Sequence, residues 1–244
     1  GKGRAVKKFA EGERVIFKHG DRSHTGRVTR VLPKVRRVVS DTGERAQVPV
    51  RGLRRAPDRV LILETRLDQS LRSRRMYGPM MKQWLEAYEN VEVLYEKVHT
   101  IADMRHFLRR EGRKPGTRFI HYMGHGNNWG GKRAELELTF EKLDLLKESD
   151  VFEGLNGKIL LFSCCEVGSN TKVLETIKQV SNASIVIAYR NAVSDHFTNL
   201  AEAFLYDRVI AGLKPAIAVE QVSNILHESG IKSDNERKPV LVYV

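Results

Sequence analysis

The run Ile159-Leu-Leu-Phe162, apolar at four consecutive positions and bounded by Gly157 and Gly168, limits the fold more than any other stretch of the chain. A strand with no polar alternation has to be covered on both faces, which is the situation of a central strand in a parallel sheet flanked by helices. The run leads into Ser163-Cys164-Cys165-Glu166-Val167-Gly168, so a thiol follows its carboxyl end. Ligands and chemistry in open α/β sheets sit just beyond such ends. Thr117-Arg-Phe-Ile-His-Tyr-Met-Gly-His-Gly126 repeats the design and ends in His125-Gly126. If the two strands are neighbours, one imidazole and one thiol stand side by side, as a Cys/His nucleophilic site requires.

Four more strands are expected, at Val60–Leu63, Val91–Tyr95, Ser184–Ala188 and Pro239–Val244. Helical periodicity covers about Leu71 to Glu89, Ile101 to Arg110, a stretch through Val173, Ile177 and Val180, Asp195–Ala211 and Pro215–His227. Phe140 to Glu148 reads as a short helix and Asn127 to Lys132 as a polar loop. Repeated βα units predict an α/β domain over residues 59–244: a mostly parallel six-stranded sheet with helices on both faces.

Residues 1–58 follow other rules. Short β-branched runs at Arg14–Phe17, Gly26–Val31, Arg36–Val39 and Gln47–Val50 alternate with turn signals, the pattern of a small all-β barrel. This piece carries 16 Lys+Arg against 6 Asp+Glu, a net of +10 out of +12 for the 244 residues, so the larger domain is close to neutral. Arg27, Arg30, Lys34, Arg36 and Arg37 are candidates for phosphate contacts to nucleic acid. The other reading is a solvated basic barrel that docks on the larger domain or on an acidic protein partner. With Phe9 and Phe17 as its only aromatics, an aromatic cage or base-stacking platform is not expected.

Several classes of protein are disfavoured. No apolar run approaches the roughly 20 residues of a membrane-spanning helix, and the basic start lacks the apolar stretch of a secretory signal, so no membrane partner is expected. Cys164 and Cys165, the only two cysteines, are adjacent and poorly spaced for a disulfide. A reducing, cytoplasmic setting follows. His121 and His125 share the spacing of a helical metal pair but lie in a strand without the Glu partner, so His121 reads as a core or supporting histidine. No metal or cofactor is called for.

The motifs His125-Gly126, Ser163-Cys164-Cys165-Glu166-Val167-Gly168 and Val193-Ser194-Asp195, each after a strand, resemble those of the caspase-like cysteine peptidases, a clan that includes caspases, separase and bacterial CHAT peptidases. The resemblance spans residues 59–244 and is greatest to CHAT domains, whose His-Gly and Ser-Ala-Cys-Glu-Thr-Gly turns are matched except that Cys164 replaces Ala and Val167 replaces Thr. His125 precedes Cys165 by 40 residues, in the caspase order, although the caspase Gln-Ala-Cys-x-Gly signature is absent. The leading domain is similar to SH3-like barrels of the Tudor or KOW type.

The resemblance makes Cys165 the nucleophile, and strand geometry favours the same thiol. Successive side chains alternate faces, so only one cysteine enters the site, and the one nearer the turn is more exposed. Cys164 then reads as a small core residue. His125 would collect or supply the proton, and the N–H groups of Gly126 and Cys165 are the expected oxyanion hole. Related metacaspase-like enzymes place an acidic residue where Asp195 stands, lining the pocket for the side chain before the cleaved bond. Asp195 equally fits a helix N-cap. Asp68 would add a second carboxylate, whereas the adjacent Arg66 favours an acidic residue instead; Glu166 lines the substrate site or orients the turn.

The expectation is a cysteine endopeptidase cutting a protein substrate after Arg or Lys, a regulated effector of bacterial defence or stress pathways by resemblance, with self-processing within Arg72–Arg75 or at Arg113-Lys114. The alternative is a nucleic-acid-binding or scaffold protein with an inactive caspase-like domain; a combined form recruits substrate or an activating partner through the barrel.

Overall fold

In a computed structural model covering residues 9–68, 73–130, 133–230 and 239–244, the first strands are β1 (Arg14–His19), β2 (Arg22–Val31), β3 (Val35–Ser40), β4 (Arg45–Pro49) and β5 (Arg54–Arg55). They pair antiparallel in the order β4-β3-β2-β1-β5. Alternation decides what lies inside: Val15, Phe17, Val28, Val38 and Val48 point inward with Phe9 and Leu53 and form a separate small core. Arg36 is buried too, its Nε donating to the Phe9 carbonyl at 2.9 Å.

A second sheet follows, built from β6 (Asp58–Glu64), β7 (Val91–Lys97), β8 (Thr117–Met123), β12 (Ile159–Ser163), β13 (Ile185–Tyr189) and β14 (Leu241–Tyr243). Its order is β14-β13-β12-β8-β6-β7, parallel throughout except for β14. Because side chains alternate, each strand feeds two cores. Val60, Ile62, Phe119, Ile159, Leu161 and Ile187 meet α1 (Gly78–Glu86), α4 (Asp195–Ile210) and α5 (Pro215–Glu228) on one face. Leu61, Leu63, Ile120, Leu160, Phe162 and Val186 meet α2 (Ile101–Phe107) and α3 (Thr171–Ser181) on the other. The chain runs outward from β6 to β7 and then returns past β6 to β8, so the direction of winding reverses between β6 and β8, where such sheets open a crevice. Among the described residues no helix is long and apolar enough to cross a membrane.

Three expectations about the elements need correction. The polar stretch from Asn127 is largely strand: β9 (His125–Trp129) turns at Gly130 and pairs with β10 (Arg133–Glu137), while Gly131 and Lys132 lie outside the described residues. Phe140 to Glu148 forms no helix; β11 (Lys142–Asp144) joins the hairpin and buries Leu143 and Leu145. The helix expected from Leu71 begins at Gly78 with Pro79 in its first turn, and residues 71–72 lie outside the described residues.

The two sheets meet through buried charges. Arg14 grips Asp41 with both terminal nitrogens at 2.9 and 2.7 Å and reaches Asp58, the first residue of β6, at 3.0 Å. Arg118 of β8 takes the same Asp58 oxygen at 2.9 Å. A Cβ on Gly157 would stand 2.5 Å from the Asp41 carbonyl oxygen, so the two units touch backbone to backbone. Lys158 donates to the Lys114 carbonyl at 2.6 Å, and burial pulls its ammonium down to about 8 despite nearby Asp41. The unfolded lysine holds its proton to about 10.4, so between those values the unfolded chain binds a proton the folded one has lost, and folding stability rises with pH. Denaturant titrations across pH 8–10 are expected to show a gain of roughly 2 kcal/mol that Lys158→Met removes; equal pH slopes in the two proteins would refute it.

Candidate active site

β6, β8 and β12 end at one sheet edge, and backbone bonds carry their register past the last strand residues. The Thr65 N–H donates to the Met123 carbonyl at 2.9 Å, and the Gly124 N–H to the Ser163 carbonyl at 3.2 Å. These bonds bring the loop with His125 beside the loop with Cys165. Two glycines let them close: a Cβ on Gly124 would lie 2.2 Å from Thr65 Cγ2, and one on Gly126 would lie 2.6 Å from Cys164 Sγ and 2.8 Å from the Cys165 carbonyl oxygen. His125 is fixed from behind as well, since the buried Tyr122 hydroxyl donates to its carbonyl at 3.0 Å.

The thiols separate as alternation requires. Cys164 belongs to the core on the α3 side and is 3% exposed, and burial pushes its thiol well above the usual range, so it is chemically quiet. Cys165 is half-buried and its sulfur donates to the Val193 carbonyl at 3.7 Å; both cysteines contribute to the cleft wall, and it is burial that distinguishes them. The chain then turns abruptly: Glu166 is left-handed at φ 63°, a strain on the order of 1 kcal/mol for a residue with a Cβ. That turn is held by the Glu166 N–H on the Asn191 carbonyl at 3.1 Å and by the Val167 N–H on the Cys165 carbonyl at 2.8 Å. Among the described residues the Cys165 N–H has no backbone partner.

His125 and Cys165 line one cleft of about 360 Å³ at this edge, together with Glu64, Leu67, Arg75, Tyr77, Ser194, Asp195 and His196. His125 Nε2 lies 2.7 Å from the Leu67 carbonyl oxygen. A carbonyl only accepts, so Nε2 carries the proton and Nδ1 of the neutral ring is the free base. The Leu67 carbonyl thus orients the imidazole, a role that a carboxylate fills in other nucleophilic sites. Leu67 has no side-chain signature for this, and sequence reasoning missed it. Glu64 was missed too: almost fully buried at the end of β6, its carboxylate accepts from the N–H groups of Tyr77 and Gly78 and from the Tyr95 hydroxyl at 2.7–3.1 Å. An acid closing an apolar strand was the available clue.

Asp195 lines the cleft and Asp68 stands behind Arg75, which links the two carboxylates. Its Nη2 lies 2.5 Å from Asp195 and its Nη1 2.9 Å from Asp68. The N-cap of α4 is Ser194, whose hydroxyl accepts from the Phe197 N–H, and this leaves the Asp195 carboxylate free to face the cleft. Ser73 first, and then Arg75, hold the Asp68 carboxyl below the usual carboxylate range. Glu166 and Gly126 are not among the residues that line this cleft; Glu166 makes the left-handed turn after the thiol, and Gly126 lets its loop approach Cys164 and the Cys165 carbonyl. His121 is wholly buried on the α4 side, its ring nitrogens 3.0 Å from Glu202 and 2.9 Å from the Tyr206 hydroxyl, and it pins that helix to the sheet. Arg113-Lys114 precedes β8, so the strand's seven residues, at about 3.3 Å each, separate it from the cleft. Arg72 lies outside the described residues.

Gly126→Ala is expected to push the two loops apart, costing about 1–3 kcal/mol in thermal unfolding and slowing alkylation of Cys165; an unchanged melting temperature and alkylation rate would contradict the close approach. Compared with models of known protein families and with curated proteins, the sequence matches none.

Proposed function

We propose that the chain is a cysteine endopeptidase of the caspase-like class, with Cys165 as nucleophile and His125 as its acid and base, cutting a protein substrate after a basic residue. The observation that carries this reading is that a half-buried thiol and an imidazole with a fixed tautomer line the same cleft at a sheet edge. The strand order and the helices on both faces fit a caspase-like fold, and the antiparallel unit of β1–β5 fits an SH3-like barrel.

In the proposed reaction the Cys165 thiol gives its proton to His125 Nδ1 and the sulfur attacks the scissile carbonyl carbon. The oxygen takes up the electron pair, and the Cys165 N–H donates to it. Collapse expels the amine, which leaves with the proton from His125, and a thioester remains on Cys165. Water then attacks the thioester while His125 takes its proton, releasing the carboxylic acid and restoring the thiol. Asp195 and Asp68 supply the negative charge that selects a basic side chain before the cut.

Cys165→Ala and His125→Ala are each expected to abolish cleavage of an arginine-containing peptide library, a loss of at least a hundredfold, while circular dichroism and melting stay native. Full activity in either variant would rule the assignment out.

A second reading rests on the barrel. Arg30 and Arg37 face each other across β2 and β3, and with Arg45 they rim a groove of about 580 Å³. Like charges directly opposite repel, and an anion between them relieves that cost. Arg36 and Arg27 are engaged internally, Arg27 through the Gly12 carbonyl at 2.6 Å, so of the expected phosphate footprint Arg30, Lys34 and Arg37 remain, and Arg45 joins them. Such a surface would recruit nucleic acid or an acidic activator to the peptidase. Binding of a single-stranded oligonucleotide, followed by fluorescence anisotropy, is expected to weaken with salt at a log–log slope of about −3 and to vanish in an Arg30→Glu/Arg37→Glu double variant. No binding at low salt would remove the reading.

A further inference from the structure

Arg75 reaches into the cleft from the chain itself. Its two terminal nitrogens divide between two carboxylates supplied by distant segments: Asp68, in the loop after β6, at 2.9 Å, and Asp195, at the first turn of α4, at 2.5 Å. The arrangement is held from both sides. Ser73 Oγ donates to the second oxygen of Asp68 at 2.5 Å. Beyond Arg75, the Tyr77 and Gly78 N–H groups are clamped on the buried Glu64, and the Tyr77 ring meets His196 edge-on with centroids 5.5 Å apart. Asp68 is also the neighbour of Leu67, whose carbonyl orients His125. The guanidinium therefore occupies the acidic part of the same cleft that holds the imidazole and the thiol.

We propose that Arg75 fills in cis the acidic subsite of Asp68 and Asp195, so that the Ser73–Tyr77 segment is a built-in competitor of the substrate and the subsite prefers arginine to lysine. This rests on the peptidase reading and goes further by naming the residue preferred and the group that blocks it. Selectivity for arginine over lysine follows from the fork: a planar guanidinium satisfies two separated carboxylates at once, whereas an ammonium is a single point of charge. The contact is a weak latch. Arg75 is 49% exposed and its partners are 34% and 25% exposed, and ion pairs of that exposure hold loosely. A substrate arginine that also gains the remaining cleft contacts displaces it without any covalent step.

The test measures the rate at which Cys165 in the full chain is labelled by a peptidyl-arginine acyloxymethyl ketone, relative to the norleucine and lysine versions of the same probe. Arg75→Gln is expected to raise the arginine-to-norleucine ratio roughly 3–10-fold, the release of a weak competitor, with a smaller rise for Arg75→Lys. Asp195→Asn is expected to bring the arginine probe down to the norleucine rate. In the wild type, arginine should label faster than lysine. If Cys165 is labelled but the arginine-to-norleucine ratio is unchanged in both Arg75 variants, the occupancy in cis is wrong while the peptidase reading stands. If arginine and norleucine probes label equally in every protein, the subsite is wrong. If no probe labels Cys165, the peptidase reading falls, and this inference with it. Thermal melting of each variant shows whether a change in ratio comes from a folded protein.

Discussion

The backbone bonds that continue the sheet beyond its strands, Thr65 to Met123 and Gly124 to Ser163, hold everything at this edge together. Each is an ordinary backbone hydrogen bond worth about 1 kcal/mol, yet together they set where three loops begin. The β6 loop delivers the Leu67 carbonyl and Asp68, the β8 loop delivers His125, and the β12 loop delivers Cys165. Gly124 and Gly126 matter for the same reason, since a side chain at either position would collide with the neighbouring loop. The geometry of the cleft is thus a property of the rigid sheet, and the site is positioned by elements packed on both faces.

How far the sequence foretells this depends on which physical signal each feature leaves. Uninterrupted apolar runs such as Ile159–Phe162 announce strands because burial on both faces leaves no choice of residue type. Alternation separates Cys164 from Cys165 by the same logic, and the structure puts them in different environments. Phe140–Glu148 misleads because its apolar residues, Leu143, Leu145 and Leu146, fit either period over so short a window, and only the pairing with β10 decides. Pro79 marked the true start of α1, but the apolar pattern upstream drew the helix too early. Asn127–Trp129 hides a strand because its partner, not its composition, makes it one. The Leu67 carbonyl leaves no trace in the sequence, since any residue carries one. In sequence Arg75 is only the last residue of the Arg72–Arg75 processing candidate, whereas its contacts with Asp68 and Asp195 depend on a tertiary approach that local reasoning does not reach.

Charge is used in two different ways in the two parts of the chain. Inside the joint, Arg14, Arg118 and Lys158 converge on Asp41 and Asp58, so cations outnumber anions in a region sheltered from water. Burial works against each cation; the carboxylates more than offset it for Arg14 and only in part for Arg118 and Lys158. Outside, Arg30, Arg37 and Arg45 stay at the surface of the β1–β5 sheet and give it the positive field that the near-neutral larger part of the chain lacks.

The account turns on His125 and Cys165 acting as a chemical pair. The most direct measurement is the rate of iodoacetamide alkylation at Cys165, resolved from Cys164 by peptide mass mapping, in the wild type and in His125→Gln at neutral pH. An imidazole that takes up the thiol proton predicts at least a tenfold slower reaction in the variant, with Cys164 unreactive in both folded proteins. Equal rates at Cys165 in the two proteins would contradict the pairing on which the proposed chemistry depends.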